Sequence, residues 1–408
     1  MSQLIAISSG MGVAADHFFA DYVEECFAYS VSMRRIRPFI LRSAELNRLD
    51  CIEQILYRLL DDLDYATELF EMDEQLFEQN QQSAAALLYK SVSEVEKYQH
   101  SERLAMCQYR LFLIGQGENL EENLRTAILF EPYVDRLDEG YQLEAFKDLI
   151  HVFGSVNKWS EVKDIADKML HLAKIQYDTI NLLERQNQEW KQTVRPLYFY
   201  ILYAWLIQST VFEEQGDYTK ALELVGLYAS GKSWVREDDE ESRRVLNQFE
   251  EWATANKYLY QMLSGDQKVV KEYANYITQY PEEIFLALRY IIQAANKFNW
   301  NIDDILERFS DYIPLRTYKT EFGQYNSSMM DQNYAKLLGE LALYYLNHNR
   351  DVAIIRILEG LNFSIQKNND LNFIKYVIAF LEKYLSSEDH EDKEKLKLLI
   401  HEMQRINA

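Results

Sequence analysis

One stretch matches a nucleotide-binding pattern outright. Gly226–Ser233, GLYASGKS, fits G-x-x-x-x-G-K-S, the loop whose backbone N–H groups and lysine cradle phosphates. That chemistry needs a strand before the loop and a helix N-terminus after it. Here the preceding segment, TKALELVGLY, has helical spacing, which places Gly226 inside a helix and Gly231 at its C-terminal cap. The expectation is that ATP is not held there and that Lys232 is a solvated helix-end residue. The histidines, His17, His100, His151, His171, His348, His390 and His401, are scattered and form no HExxH pair. Cys26, Cys51 and Cys107 are odd in number and lack CxxC spacing, which reads as idle thiols of a reducing cytosol. No catalytic residue, metal ligand or cofactor follows from these spacings, and the chain reads as a recognition protein rather than an enzyme.

The elements that would position a binding site are helices. With 5 Pro and 13 Gly in 408 residues, the chain has too few turn residues for a strand-rich fold. It is 48% apolar, enough for a large core. Around the middle of the chain, Trp205, Ser209 and Phe212 share one helical face, Gly216 and Tyr218 mark a turn, and Ala221, Val225 and Tyr228 share a second face. This unit resembles the tetratricopeptide repeat. Other segments align on the position of Gly216, with anchors at Asn47, Asn80, Glu118, Asn157, Gly265 and Asn349, and one more within Phe298 to Trp300. Asn suits such a turn because it tolerates the left-handed conformation.

The resemblance implies an all-α fold: tetratricopeptide-like helical hairpins, eight or nine of them, forming a right-handed superhelix. The period slips between Trp159 and Gly216, where a helix of about twice the usual length is expected from Ser160 to Gln188. Residues 232–242 and 314–333 read as irregular connections, and the charged run 386–395 as a loop before a capping helix. The organisation expected is 1–22, 23–230 and 231–408: a short leading segment, an N-terminal array and a C-terminal array.

In such arrays the first helix of each hairpin lines the concave face, at positions about thirteen, ten, six and three before the anchor. These positions include Gln108, Glu144, Lys147, His151, Tyr203, Thr210, Glu213 and Lys336. Gln and Lys could hold a peptide backbone and Tyr could supply flat packing area. The plainer alternative is a set of solvated polar residues. Gln108, Lys147, His151, Tyr203, Thr210 and Lys336 are the candidate peptide-binding residues.

Net charge is −22, which opposes non-specific binding to nucleic acid or anionic membrane. Arg34, Arg35, Arg37, Arg42, Arg48 and Arg58 nearly balance the acids of residues 1–60, so MRRIRPF (33–39) is the one basic stretch. The longest apolar run, Leu197–Ile207, is too short to span a bilayer. Leu4 to Phe19, with Met11, Gly12, Val13, Phe18 and Phe19, resembles the last helix of a Cro/repressor-type helix-turn-helix domain. A remnant of that domain followed by repeats is similar to the peptide-pheromone-responsive regulators of Gram-positive bacteria, the Rap/Npr/Plc group. The resemblance implies a cytoplasmic regulator that binds a short peptide, acts on transcription or a protein partner, and forms a homodimer through its C-terminal repeats. A scaffold without a peptide ligand, or a Rap-like effector of a response regulator, are the alternatives. No recognition helix precedes Leu4, so this chain is not expected to read duplex DNA unless a longer version carries the complete domain. Leu4, Ile5, Ile7, Phe18 and Phe19 are expected to pack on the first repeat.

Overall fold

The computed structural model describes residues 1–28, 31–59, 65–185, 192–235, 239–281, 283–313, 319–320, 323–324, 327–348 and 359. The fold is all-α. A single antiparallel pairing of Lys319–Thr320 with Gly323–Gln324 is the one strand element among the described residues. The Asn349 anchor, the charged run 386–395 and the capping helix lie outside them.

Helices come in pairs joined by short turns, each pair bent at the predicted anchor. Helices α3 (Met33–Glu45) and α4 (Leu49–Leu59) flank Asn47, and α5 (Ala66–Glu78) and α6 (Gln82–Val95) flank Asn80. Helices α9 (Glu139–Ser155) and α10 (Trp159–Arg185) flank Asn157. Helices α11 (Leu197–Glu214) and α12 (Tyr218–Ala229) flank Gly216, and α13 (Glu240–Leu263) and α14 (Lys268–Ile277) flank Gly265. Helices α15 (Ile284–Phe298) and α16 (Asp303–Arg308) flank Asn299. Among the described residues, the only non-glycine positions with positive φ are Asn47, Asn80, Asn157 and Asn299, all between 55° and 60°.

The closure is chemically the same each time. The residue after the anchor donates its N–H to a carbonyl five positions back: Arg48 to Ser43 at 2.8 Å, Gln81 to Leu76 at 2.9 Å, Lys158 to Phe153 at 2.9 Å, Asp217 to Phe212 at 2.9 Å. These bonds satisfy carbonyls that a helix end otherwise leaves open, and they require the left-handed residue. The pair α7 (Glu102–Ile114) and α8 (Leu120–Phe130) turns differently. There Asn119 caps α8, and the Asn123 amide donates to and its oxygen accepts from the Gly117 backbone, both at 2.8 Å.

The contacts divide the chain into two compact units. The first comprises Met1–Glu161 and Asp178–Pro196. Its core includes Phe39, Ile52, Leu56, Met72, Leu88 and Tyr89, each at most 4% exposed. Burying each such side chain contributes roughly 1.5–3 kcal/mol. Helices α1 (Ser2–Met11) and α2 (Phe19–Phe27) belong to it, and α1 ends at left-handed Gly12. Phe19 is fully buried and Leu4 packs on the core, while Ile7 is 53% exposed and does not pack. Arg48 pins this segment by donating to the Asp16 carbonyl at 3.1 Å and carboxylate at 3.0 Å.

The second unit comprises Val162–Tyr177 and Leu197–Ala408. Within it α11 packs on α12, α12 on α13, α13 on α15, and α15 on α17 (Ser327–His348). Helix α17 starts within the stretch expected to be an irregular connection through 333. Trp234 stacks edge-on to both Tyr177 and Trp205, and Tyr260 lies 3.3 Å from the Ser209 hydroxyl. The long helix is present: α10 has 27 residues.

Two predictions follow from the fold. Asn157→Ala should cost about 1–2 kcal/mol in urea melts because Ala resists the left-handed region, while Asn157→Gly should be near neutral. Equal effects from the two would show that the turn does not depend on its dihedral. The second concerns Asp73 in α5, which is fully buried with neither carboxylate oxygen hydrogen-bonded among the described residues. Burial, with the Glu74 charge beside it, raises its pKa from 3.8 to about 9. The folded chain therefore keeps a proton that the unfolded chain releases, and stability falls as pH climbs from 3.8 towards about 9. Asp73→Asn should flatten that fall and be the more stable form at pH 8 by about 1–3 kcal/mol. An unchanged slope in urea melts across this range would contradict it.

Candidate functional site

In the first unit, polar side chains link the first helix of each pair to the next. Arg37 of α3 donates to Gln75 of α5 at 3.0 Å. Arg110 of α7 makes a two-pronged bond to Glu74 of α5 at 2.9 and 2.8 Å, and its guanidinium lies 4.5 Å from the Phe77 ring. Tyr109 of α7 donates to Asp148 of α9 at 2.7 Å. Two-pronged arginine–carboxylate bonds fix geometry as well as charge. The first helices thus carry a polar ladder, held at set positions instead of left to solvent.

Its richest part is on α9. Glu144, Lys147 and His151 are spaced three and four apart and share one face. Lys147 pairs with Glu144 at 2.7 Å and Asp148 at 2.8 Å, and Arg195 reaches Glu144 at 3.3 Å. Desolvation pulls the Lys147 ammonium down, but Asp148 and Glu144 outweigh it and its pKa is raised. His151 keeps solvent-facing surface, yet protein closes round it and desolvation, then the Lys147 charge, lowers its pKa. Gln108, on α7 beside Tyr109, is half-buried.

The other candidates lie in the second unit. Tyr203 has to be corrected: it is only 7% exposed and stacks on Phe199 at 5.7 Å, so it is part of the core and offers no open platform. Residues 197–207 are apolar all round, and the helix buries that face as well. Thr210 is half-buried with its hydroxyl on the Leu206 carbonyl at 3.3 Å. Lys336 of α17 lines a cavity of about 460 Å³ together with Glu213, Arg289, Tyr290 and Gln293.

The sequence reading missed Arg289 and Gln293, although the signal was present. They stand ten and six residues before Asn299, the same offsets that select Lys147 and His151 before Asn157. Lys336, Gly339 and Leu343 stand thirteen, ten and six before Asn349, and all three line this cavity. Glu213 stands three before Gly216 and is 9% exposed. Desolvation, then the Glu214 charge, raises its pKa to about 7, and it is bonded to Tyr290.

The nucleotide-loop pattern has no loop geometry. Helix α12 runs through Gly226 to Ala229, and a short 3-10 turn, Gly231–Trp234, follows. Gly231 is a packing residue: a Cβ there would stand 2.6 Å from a Leu202 methyl. Among the described residues, no group of three or more His, Cys, Asp or Glu is placed to hold a metal ion. No helix among them is long and apolar enough to cross a membrane. The basic stretch of α3 is tied into the protein, with Arg37 near Glu71 and bonded to Gln75. No protein-family model and no curated protein matches the chain.

The α9 cluster gives a direct test. Lys147→Met removes the positive charge nearest the imidazole and leaves Glu144 and Asp148 beside it. The His151 pKa, followed by NMR, should start below its ordinary value and rise in the variant. An unmoved titration would place Lys147 too far away to matter.

Proposed function

We propose that this chain is a regulatory binding protein that takes a short peptide on the polar face of its first helices, with Gln108, Lys147 and His151 as contacts in the first unit. The observation that carries this reading is the α9 cluster, where an imidazole with an open surface sits among fixed charges. A peptide main chain needs donors and acceptors already in place, because ordering flexible side chains at binding costs about 0.5–1.5 kcal/mol each. The ladder of Glu74–Arg110, Tyr109–Asp148 and Lys147–Glu144 has that order before any ligand arrives.

The anchored helix pairs favour the tetratricopeptide-like reading, and with it the likeness to peptide-pheromone-responsive regulators. On this reading the protein works in the cytoplasm, passes its signal to a protein partner, and does no chemistry on its ligand. Duplex DNA is not its own ligand, because the net charge of −22 repels phosphates and Arg37 and Arg42 of α3 already have partners.

The test is affinity selection of a mixed hexapeptide library on the full chain, read by mass spectrometry, followed by calorimetry on the enriched sequences. Saturable binding is expected, weakened about tenfold or more (about 1.4 kcal/mol) by Lys147→Met or His151→Ala. A library that yields no enriched peptide, or binding indifferent to both variants, would favour a scaffold that recognises only folded partners.

A further inference from the structure

The cavity in the second unit combines charges of both signs on different elements. The end of α11 supplies Glu213 and Glu214, followed by the turn at Gly216, and α13 ends beside it at Leu263. Carbonyl groups at a helix C-terminus carry partial negative charge, so these ends add to the carboxylates in attracting an ammonium group. Across the lining, α15 supplies Arg289 and α17 supplies Lys336. Glu340, also of α17, is held by the Asn296 amide at 2.7 Å.

Arg289 is the cation that α15 contributes to the lining. Its guanidinium lies 4.1 Å from the Tyr290 ring, and its Nε is buried without a hydrogen-bond partner among the described residues. A carboxylate is the acceptor that matches a guanidinium. A purely anionic ligand would meet Glu213, Glu214 and Glu340. A purely cationic one would meet Arg289 and Lys336. A small molecule carrying both signs satisfies both sets, and about 460 Å³ lies within the range of small-ligand sites.

We infer that this cavity binds a small zwitterion, a free α-amino acid or a dipeptide, with its carboxylate on Arg289 and Lys336 and its ammonium at Glu213, Glu214 and the end of α11. The site lies within the second unit and does not depend on the peptide reading of the first. It gives the chain a second, small-molecule input.

The experiment is calorimetry on the full chain with each of the twenty L-amino acids and with Gly-Gly, Ala-Ala and Leu-Leu. At least one should bind saturably with a Kd at or below about 1 mM. Amino acids binding alone would assign a single residue, and dipeptides binding alone would assign the longer ligand. The N-acetyl and the C-amide forms of the bound compound should each bind at least about tenfold more weakly. Arg289→Gln and Glu213→Gln should each cost a similar factor, with circular dichroism melts confirming that both variants fold. Lys336→Met, at a half-buried position, provides a third variant if either of the others unfolds. Lys147→Met and His151→Ala should leave this binding unchanged, which separates it from the peptide site. No binding by any zwitterion up to about 10 mM, well above the expected range, would overturn the inference. Equal binding of the end-blocked forms would also overturn it, as would indifference to Arg289→Gln and Glu213→Gln.

Discussion

Among the described residues, every helix pair from α3/α4 to α15/α16 except α7/α8 depends on a single backbone event, a residue held in the left-handed conformation so that the next N–H can close on a carbonyl five positions earlier. That conformation costs an ordinary L-residue roughly 1–2 kcal/mol, and Asn and Gly are the residues that tolerate it. The chain places Asn at 47, 80, 157 and 299 and Gly at 216 and 265. The turn does more than reverse the chain. It fixes the rotational phase of the helix before it, and therefore which side chains face the core and which face the open side. Glu144, Lys147 and His151 share a face because they count back from Asn157, just as Arg289 and Gln293 count back from Asn299.

Given that phase, the polar side chains are presented in order and must be held there against desolvation. The first unit does this by linking neighbouring first helices through Arg37–Gln75, Arg110–Glu74 and Tyr109–Asp148. Half-buried charges left single would cost several kcal/mol each, so the linking bonds are a condition of having a polar face at all. In the second unit Arg289 and Glu213, from different helices, line one cavity, and desolvation raises the Glu213 pKa to about 7.

Much of this was legible in the sequence. Low Pro and Gly content, helical spacing and recurring Asn anchors together imply paired helices, and the doubled length of α10 shows as a slip in the period. Three features were not legible, for separate reasons. The anchor read within Phe298 to Trp300 was placed only to within three residues, so the offsets that pick out Arg289 and Gln293 were not counted back from Asn299. Tyr203 satisfies the register, but residues 197–207 of α11 are apolar on all sides and the packing around Phe199 takes up its ring. Asp73 looks like any surface acid of an amphipathic helix, and only the packing of α5 shows that it is buried. Pattern reports which residues share a face, whereas burial depends on what comes to rest against that face.

The central claim is that the first helices, through the face carrying Gln108, Lys147 and His151, are where this protein meets a peptide. Backbone hydrogen exchange on the full chain, with and without the tightest hexapeptide from a library selection, tests it most directly. The account predicts slowed exchange in α7 and α9, with α4, α6 and α8 unchanged. Protection confined to α4, α6 and α8 would put the ligand on the opposite set of helices and contradict the assignment of the binding face.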